Sequence, residues 1–230
     1  MTSGLIPGKK DLSTRGFRLE TIRSVSDNMI IGRELLAGHP CLPKIVSFPV
    51  LSEIYWMVFY RDMRKKVVLA LNHIGQTEWV SVNVFTHHLA NPFILDSIRN
   101  LSNITNSHEK IVLEWVERRG GDMDLAIRTL LTIRDKYGFR IAIDDMGEGE
   151  DGLGRISHVR PDFIKLSGKL IHQSRLDRRV LTTLNAISSM SDSLQSEIIA
   201  EWVENEIDLQ IARDVGARYW QGWLDRTLTD

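Results

Sequence analysis

Five acidic side chains, one amide and one lysine stand at or near the C-terminal ends of successive apolar runs in this 230-residue chain. Glu34 lies in Met29–Leu35, Asn83 in Trp79–Val84 and Glu114 in Ile111–Val116. Asp144 and Asp145 close Arg140–Asp145, Lys165 lies in Asp162–Leu166 and Glu201 in Glu197–Val203. One buried carboxylate is usually a satisfied structural group, but five aimed at one mouth repel one another unless positive charge sits between them. Glu34, Asn83, Glu114, Asp144 and Asp145 offer oxygen only, which suits hard divalent cations such as Mg²⁺ or Mn²⁺. Zinc favours His or Cys; the histidines show no metal-binding spacing, and His87-His88 reads as a loop feature. With Lys165 counted, Glu34, Glu114, Asp144, Asp145 and Glu201 leave four negative charges, which two divalent ions neutralise. Two metals about 3.5–4 Å apart clamp the attacking and leaving oxygens of an in-line displacement at phosphorus. Lys165 then holds or helps deprotonate the attacking water, or stabilises charge on the phosphoryl oxygens. Its plainer reading is a salt bridge to the acids beside it.

Positioning these groups requires parallel strands separated by helices, the pattern that gathers polar residues at strand C-termini. Phe17–Ile22 and Met29–Leu36, split by Ser24, Ser26, Asp27 and Asn28, predict an antiparallel hairpin. Helices are expected over Leu51–Asn72, Pro92–Leu101, Asp122–Tyr137 with Gly138 as its stop, Asp177–Ser193 and Glu204–Val215. Ala217–Gln221 completes eight strands, the first opposed to the rest. Neighbours on a strand point to opposite faces, so Asp144 and Asp145 reach one mouth only if the chain turns there.

The size fits a single α/β barrel. We read residues 1–16 as a polar, flexible lead-in without the apolar core of a signal peptide, and 17–230 as one domain. The net charge of −1 gives no global attraction to a nucleic acid polymer or an anionic membrane. Cys41 is alone, which excludes an intramolecular disulfide and suits a reducing cytoplasm. Ile45–Tyr60, broken by Pro49 and Glu53, is too short to insert in a bilayer and reads as a buried helix.

From Phe17 to Leu224 the chain resembles the EAL-domain phosphodiesterases of bacterial cyclic di-GMP signalling. Glu34-Leu35-Leu36 stands where Glu-Ala-Leu is expected, and Ser81-Val82-Asn83-Val84 is similar to Val-Asn-Leu-Ser. Leu113-Glu114-Trp115-Val116-Glu117 resembles Leu-Glu-Ile-Thr-Glu, and Asp144-Asp145-Met146-Gly147-Glu148-Gly149 resembles Asp-Asp-Phe-Gly-Thr-Gly. Ile164-Lys165-Leu166 is similar to Leu-Lys-Ile, Ala200-Glu201-Trp202-Val203-Glu204 to Ala-Glu-Gly-Val-Glu, and Gln221-Gly222-Trp223-Leu224 to Gln-Gly-Tyr-Leu. The resemblance implies a modified TIM-type (β/α)8 barrel that opens cyclic di-GMP to linear pGpG. It implies metal ligation by Glu34, Asn83, Glu114, Asp144 and Asp145, with Mg²⁺ or Mn²⁺ active and Ca²⁺ inhibitory. Lys165 would act on the water, Glu201 would position a metal or its water, and Gln221 would join the same network. Glu117 would brace the loop after Asp145, Leu36 and Gly38 would meet the substrate, and the protein would form a homodimer.

Some substrate-reading positions depart from the family's pattern. Gly38 stands where an Arg is usual, Glu20 or a neighbour where a Gln is usual, and Ser167 where an Asp is usual. Glu148, Glu150 and Asp151 make the loop after Asp145 acidic, and Trp202 replaces a Gly. An alternative reading is an EAL-like domain that binds the nucleotide or a protein without turnover. A proton-abstracting barrel enzyme of the enolase type also combines strand-end acids with Lys and Mg²⁺, but places its Lys before the acids.

Overall fold

Period-two alternation divides each strand into an outward set and an inward set, and here the two sets differ in chemistry. The computed structural model describes residues 17–37, 53–104, 108–116, 120–148 and 152–225. Its strands are β1 (Phe17–Ser24), β2 (Ile30–Ala37), β3 (Trp79–Phe85), β4 (Ile111–Val116), β5 (Arg140–Met146), β6 (Phe163–Leu166), β7 (Glu197–Ala200) and β8 (Tyr219–Trp220). They close into a barrel in chain order. β1 runs antiparallel to β2 and β8, and all other neighbours are parallel, as expected. Among the described residues, no helix is long and apolar enough to cross a membrane.

The outward set is apolar. Val80, Val82 and Val84 of β3, Leu113 and Trp115 of β4, and Ile141 and Ile143 of β5 are buried in the large core shared with the helices. The inward set forms a second, small cluster of Ile22, Trp79, Val112, Ala142, Phe163, Ile199 and Tyr219 that floors the barrel. Trp79 stacks on Phe163 at 5.0 Å and meets Tyr219 edge-on at 5.2 Å. Gly32 makes room for it, because a Cβ there would lie 2.5 Å from the Trp79 indole. Two residues beyond this floor on β4, β5, β6, β7 and β8 come Glu114, Asp144, Lys165, Glu201 and Gln221. On the reversed β1 the step runs backwards, from Ile22 to Glu20.

The helices are α1 (Glu53–Leu71), α2 (Pro92–Ile104), α3 (Met123–Tyr137), α4 (Gly152–Val159), α5 (Gly168–Ser174), α6 (Arg178–Leu194) and α7 (Glu206–Asp214). Asp122 caps α3 by accepting from the Leu125 N–H at 2.9 Å, and Gly138 at φ 72° ends it, as the sequence predicts. Asp177 and Asn205 cap α6 and α7 in the same way. Neither α4 nor α5 is among the helices expected from the sequence. Gly152 opens α4 close to β5: a Cβ there would lie 2.8 Å from the Met146 sulfur. The lead-in, Cys41 and the part of Ile45–Tyr60 before α1 lie outside the described residues.

Candidate active site

Lys165 is the centre of the site. Its Nζ lies 2.7 Å from Glu114 Oε2, 2.8 Å from Glu201 Oε1, 3.1 Å from Asp144 Oδ1 and 3.2 Å from Glu34 Oε2. All five side chains are buried. They come from β2, β4, β5 and β6 and from the residue after β7, so closure of the barrel is what brings them together. The salt-bridge reading of Lys165 therefore holds geometrically, with four acids rather than one. Asn83 Nδ2 donates to Glu34 Oε1 at 2.9 Å, and Gln221 Nε2 donates to Glu34 Oε2 at 2.8 Å and Glu20 Oε2 at 3.3 Å. Glu20 and Glu34 are direct register partners, as are Asn83 and Glu114.

The turn required at Asp144-Asp145 is present. Asp145 adopts φ 54°, in the left-handed region, and the β5–β6 register shifts between Ile143 and Met146. One carboxylate oxygen from each of Asp144, Asp145 and Glu201 falls within 4.8 Å of the others. Behind them, Arg155 of α4 is buried and donates to the carbonyls of Trp115 at 2.7 Å and Asp144 at 3.2 Å.

The protonation balance follows from crowding. Burial pushes the Glu114 carboxyl up to about 8, with Glu34 adding to the rise and Lys165 opposing it. Burial, then Asp144, raises Asp145 to about 6, and burial holds Glu201 well above the usual carboxylate range. Burial acts in the same direction on Glu34, but Lys165, Gln221 and Asn83 outweigh it and keep that acid below its usual value. Burial would lower Lys165, yet Asp144, Glu114, Glu201 and Glu34 together hold its ammonium well above normal. The pocket has more carboxylates than one ammonium can keep ionised, and a cation among them would relieve that strain.

The residues also fit a hard cation by a second criterion. The amide oxygens of Asn83 and Gln221 are buried without a hydrogen-bond partner among the described residues while their nitrogens face carboxylates. Buried acceptors left open beside acids are the groups a cation would satisfy.

The pocket above this floor has a volume of about 340 Å³ and is lined also by Arg18, Glu20, Leu36, Phe85, Val116, Trp202 and Trp223. Gly38 and Glu117, expected to meet substrate and to brace a loop, lie outside the described residues, as do Glu150 and Asp151. Glu148 is described: it accepts the Ser167 hydroxyl, so that acid is tied to the N-terminus of α5. His88 is buried in a short turn after β3, with its Nδ1 2.9 Å from the Tyr60 hydroxyl.

Sequence reasoning missed Arg18 and Arg155. A rule that looks at strand C-termini overlooks Arg18, because β1 is reversed and its N-terminal residues reach the mouth. Arg155 lies in a helix the sequence did not reveal.

Two relatives show what the chain is similar to. The probable cyclic di-GMP phosphodiesterase PdeG of Escherichia coli (strain K12) is 26% identical over 145 residues, which cover 63% of this chain and 29% of the relative. The EAL-domain containing protein YkuI of Bacillus subtilis (strain 168) is 27% identical over 148 residues, covering 61% and 36%. The chain thus spans only about a third of either relative's length. Klebsiella pneumoniae BlrP1, solved with calcium and cy-diGMP, has the same fold at TM-score 0.77 and 20% identity, over 91% of this chain and 54% of that one. The PaMucR phosphodiesterase in its c-di-GMP complex gives TM-score 0.74 at 22% identity, over 90% and 89%. Residues 59–225 match the EAL domain as a family, and with that match over most of the barrel the chain belongs to the EAL domain family.

Proposed function

We propose that this chain hydrolyses cyclic di-GMP to linear 5′-pGpG. The observation that carries the reading is the ring of Glu34, Glu114, Asp144 and Glu201 around Lys165 at the mouth of an EAL-family barrel. Support comes also from relatives named as phosphodiesterases of this dinucleotide. Under this reading Glu34, Asn83, Glu114, Asp144 and Asp145 hold two divalent cations, Mg²⁺ or Mn²⁺. When bound, the cations polarise the phosphodiester and lower the pKa of the attacking water.

The chain's own groups do the rest. Lys165 orients the water and stabilises charge on the phosphoryl oxygens. Glu201 accepts a hydrogen bond from the water and fixes its line of approach. Gln221 and Asn83 keep Glu34 ionised by donating to both of its oxygens. Leu36 packs against the bound dinucleotide from the pocket wall. The water oxygen adds to phosphorus and the P–O3′ bond breaks. One water proton ends on the 3′ oxygen and the other is released, leaving the 5′-phosphate of pGpG. Residues 17–230 act as one catalytic unit in the cytoplasm, paired as a homodimer.

Incubation of the purified protein with cyclic di-GMP and Mn²⁺, followed by chromatography, tests the reading. Appearance of pGpG supports it. Binding with no pGpG replaces it with the receptor reading, and neither binding nor product rejects both.

A further inference from the structure

We propose that Trp202 and Trp223 form an aromatic wall at the pocket mouth that takes a guanine base of the dinucleotide by stacking. This rests on the phosphodiesterase reading and names the contact that supplies affinity at the same site. Trp79, Trp115 and Trp220 are at most 3% exposed, whereas Trp202 and Trp223 are 56% and 63% exposed. An indole left in water forgoes a large apolar burial. Both of these line the pocket whose floor is the carboxylate ring.

Their placement is built rather than incidental. Trp202 follows Glu201, and Trp223 stands two residues after Gln221. The two segments are joined side by side: the Val203 N–H donates to the Gln221 carbonyl at 3.1 Å, and the Leu224 N–H donates to the Val203 carbonyl at 2.9 Å. Gly222 permits that approach, since a Cβ there would lie 2.3 Å from the Val203 nitrogen. Trp202 adopts φ 52°, a conformation in which a bulky residue is a genuine outlier. Such strain at a pocket mouth points to function. Trp202 is braced in place, because its side chain sits where a Cβ on Gly168 would be, 2.2 Å from its Cγ. Its carbonyl lies 3.0 Å from His172 Nε2, and the His172 ring is 6.1 Å away.

Charge at the mouth explains why stacking is needed. Apart from Lys165, which is engaged by four carboxylates, the lining of this pocket has one cation among the described residues, Arg18. Arg18 is itself paired with Glu20 at 2.9 Å. Ion pairing of a dianion to these described residues is therefore weak, while a flat base face meets two exposed indoles, of which Trp202 is braced. A phosphodiester on the floor carries its bases outward to that wall. Stacking tolerates any purine, so the wall supplies affinity rather than reading of base edges.

Binding is measured with Ca²⁺ in place of the active metal, by calorimetry and by tryptophan fluorescence. Cyclic di-GMP should quench the fluorescence of the wild-type protein. Trp202→Gly and Trp223→Ala should each weaken binding between about fivefold and about a hundredfold, and Trp202→Phe should stay within about threefold of wild type. Gly168→Ala should weaken binding with Trp202 still present, by displacing its ring. In every variant Mn²⁺ should raise the melting temperature as in wild type, because the floor is untouched. Unchanged affinity in both Trp202→Gly and Trp223→Ala overturns the wall and leaves the phosphodiesterase reading standing. Affinity lost together with the Mn²⁺ effect also overturns it, since the floor has then collapsed. A wild-type protein that binds no cyclic di-GMP overturns both.

Discussion

Arg155 tests how the ends of β4 and β5 are held. Arg155 is 1% exposed, and its guanidinium donates to two strand-end carbonyls and lies 5.7 Å from the Trp115 ring centroid. One carbonyl belongs to the residue after Glu114 and the other to Asp144 itself, so a single side chain ties the backbone beside two proposed ligands. Arg155→Ala removes both donors. Each charge-assisted bond contributes about 1.5–3 kcal/mol, and relief of the buried charge offsets part of that. The 3.2 Å bond falls toward the weak end, which leaves a net loss of about 3 kcal/mol. At roughly 2–4 °C per kcal/mol for a chain of this size, the melting temperature should fall by about 6–12 °C. Arg155→Met keeps the apolar stem and discards the charge, and should lose about half as much. Calorimetry on the metal-free protein measures the fall. A parallel Mn²⁺ titration should show about tenfold weaker binding in the Ala variant, through misplaced Glu114 and Asp144. A melting point within about 2 °C of wild type, with Mn²⁺ affinity unchanged, would refute the positioning argument.

Other outcomes follow from the same geometry. Mn²⁺ at about a hundred times its dissociation constant should stabilise the protein by about 2.7 kcal/mol. Excess chelator should abolish pGpG formation, and Ca²⁺ should support binding without turnover; undiminished activity in chelator would exclude the two-metal mechanism. Glu34→Ala and Asp144→Ala should each abolish turnover measured by chromatography. Lys165→Ala should lower the rate by orders of magnitude with Mn²⁺ binding still measurable, and near wild-type rates in all three would show the site to be misassigned. Gly154→Ala, in α4 with open space around it, should stabilise by about 0.5–1 kcal/mol in denaturant titration. Gly222→Ala, at φ 157° and against the Val203 backbone, should destabilise; the opposite ranking would mean that the β7–β8 junction is not closely packed.

The parts legible in the sequence are those where one face of a strand dominates its composition. Val80, Val82 and Val84 mark β3 because the outer face is uniformly apolar, and Asn83 stands out against them. The same contrast isolates Glu114 between Leu113 and Trp115, and Lys165 between Ile164 and Leu166. The reversed β1 defeats the strand-end rule, so Arg18 stays hidden while its neighbour Glu20 is found only through family resemblance. Helices α4 and α5 escape because Gly152 and Gly168 are there for close approach, to Met146 and to Trp202. Glycine chosen for proximity cannot be told locally from glycine chosen for a turn. The acidity of the loop after Asp145 is readable, but that Glu148 takes the Ser167 hydroxyl depends on where α5 begins.

The reversal of β1 also places side chains across a junction where the barrel is closed by few backbone pairs. β1 and β2 share a long antiparallel register, whereas β1 and β8 pair at Arg23–Trp220 and Ser24–Tyr219, with the Val25 N–H donating to the Arg218 carbonyl beyond them. Side chains extend that seam. Asp225 accepts from both the Thr21 hydroxyl and the Arg23 guanidinium. At the mouth, Gln221 donates across it to Glu20 and Glu34. An amide placed there by β8 therefore joins the two arms of the hairpin to the far end of the sheet. Its oxygen is buried without a hydrogen-bond partner among the described residues. Barrel closure and site assembly thus share one residue: whatever satisfies the Gln221 oxygen also strengthens the seam, and a shift in the seam moves Glu34. Strands elsewhere in the sheet are joined by longer backbone registers, such as β3 and β4 with six paired positions. Coupling between closure and chemistry is therefore concentrated at the junction of β8, β1 and β2, where the inverted strand meets its parallel neighbours.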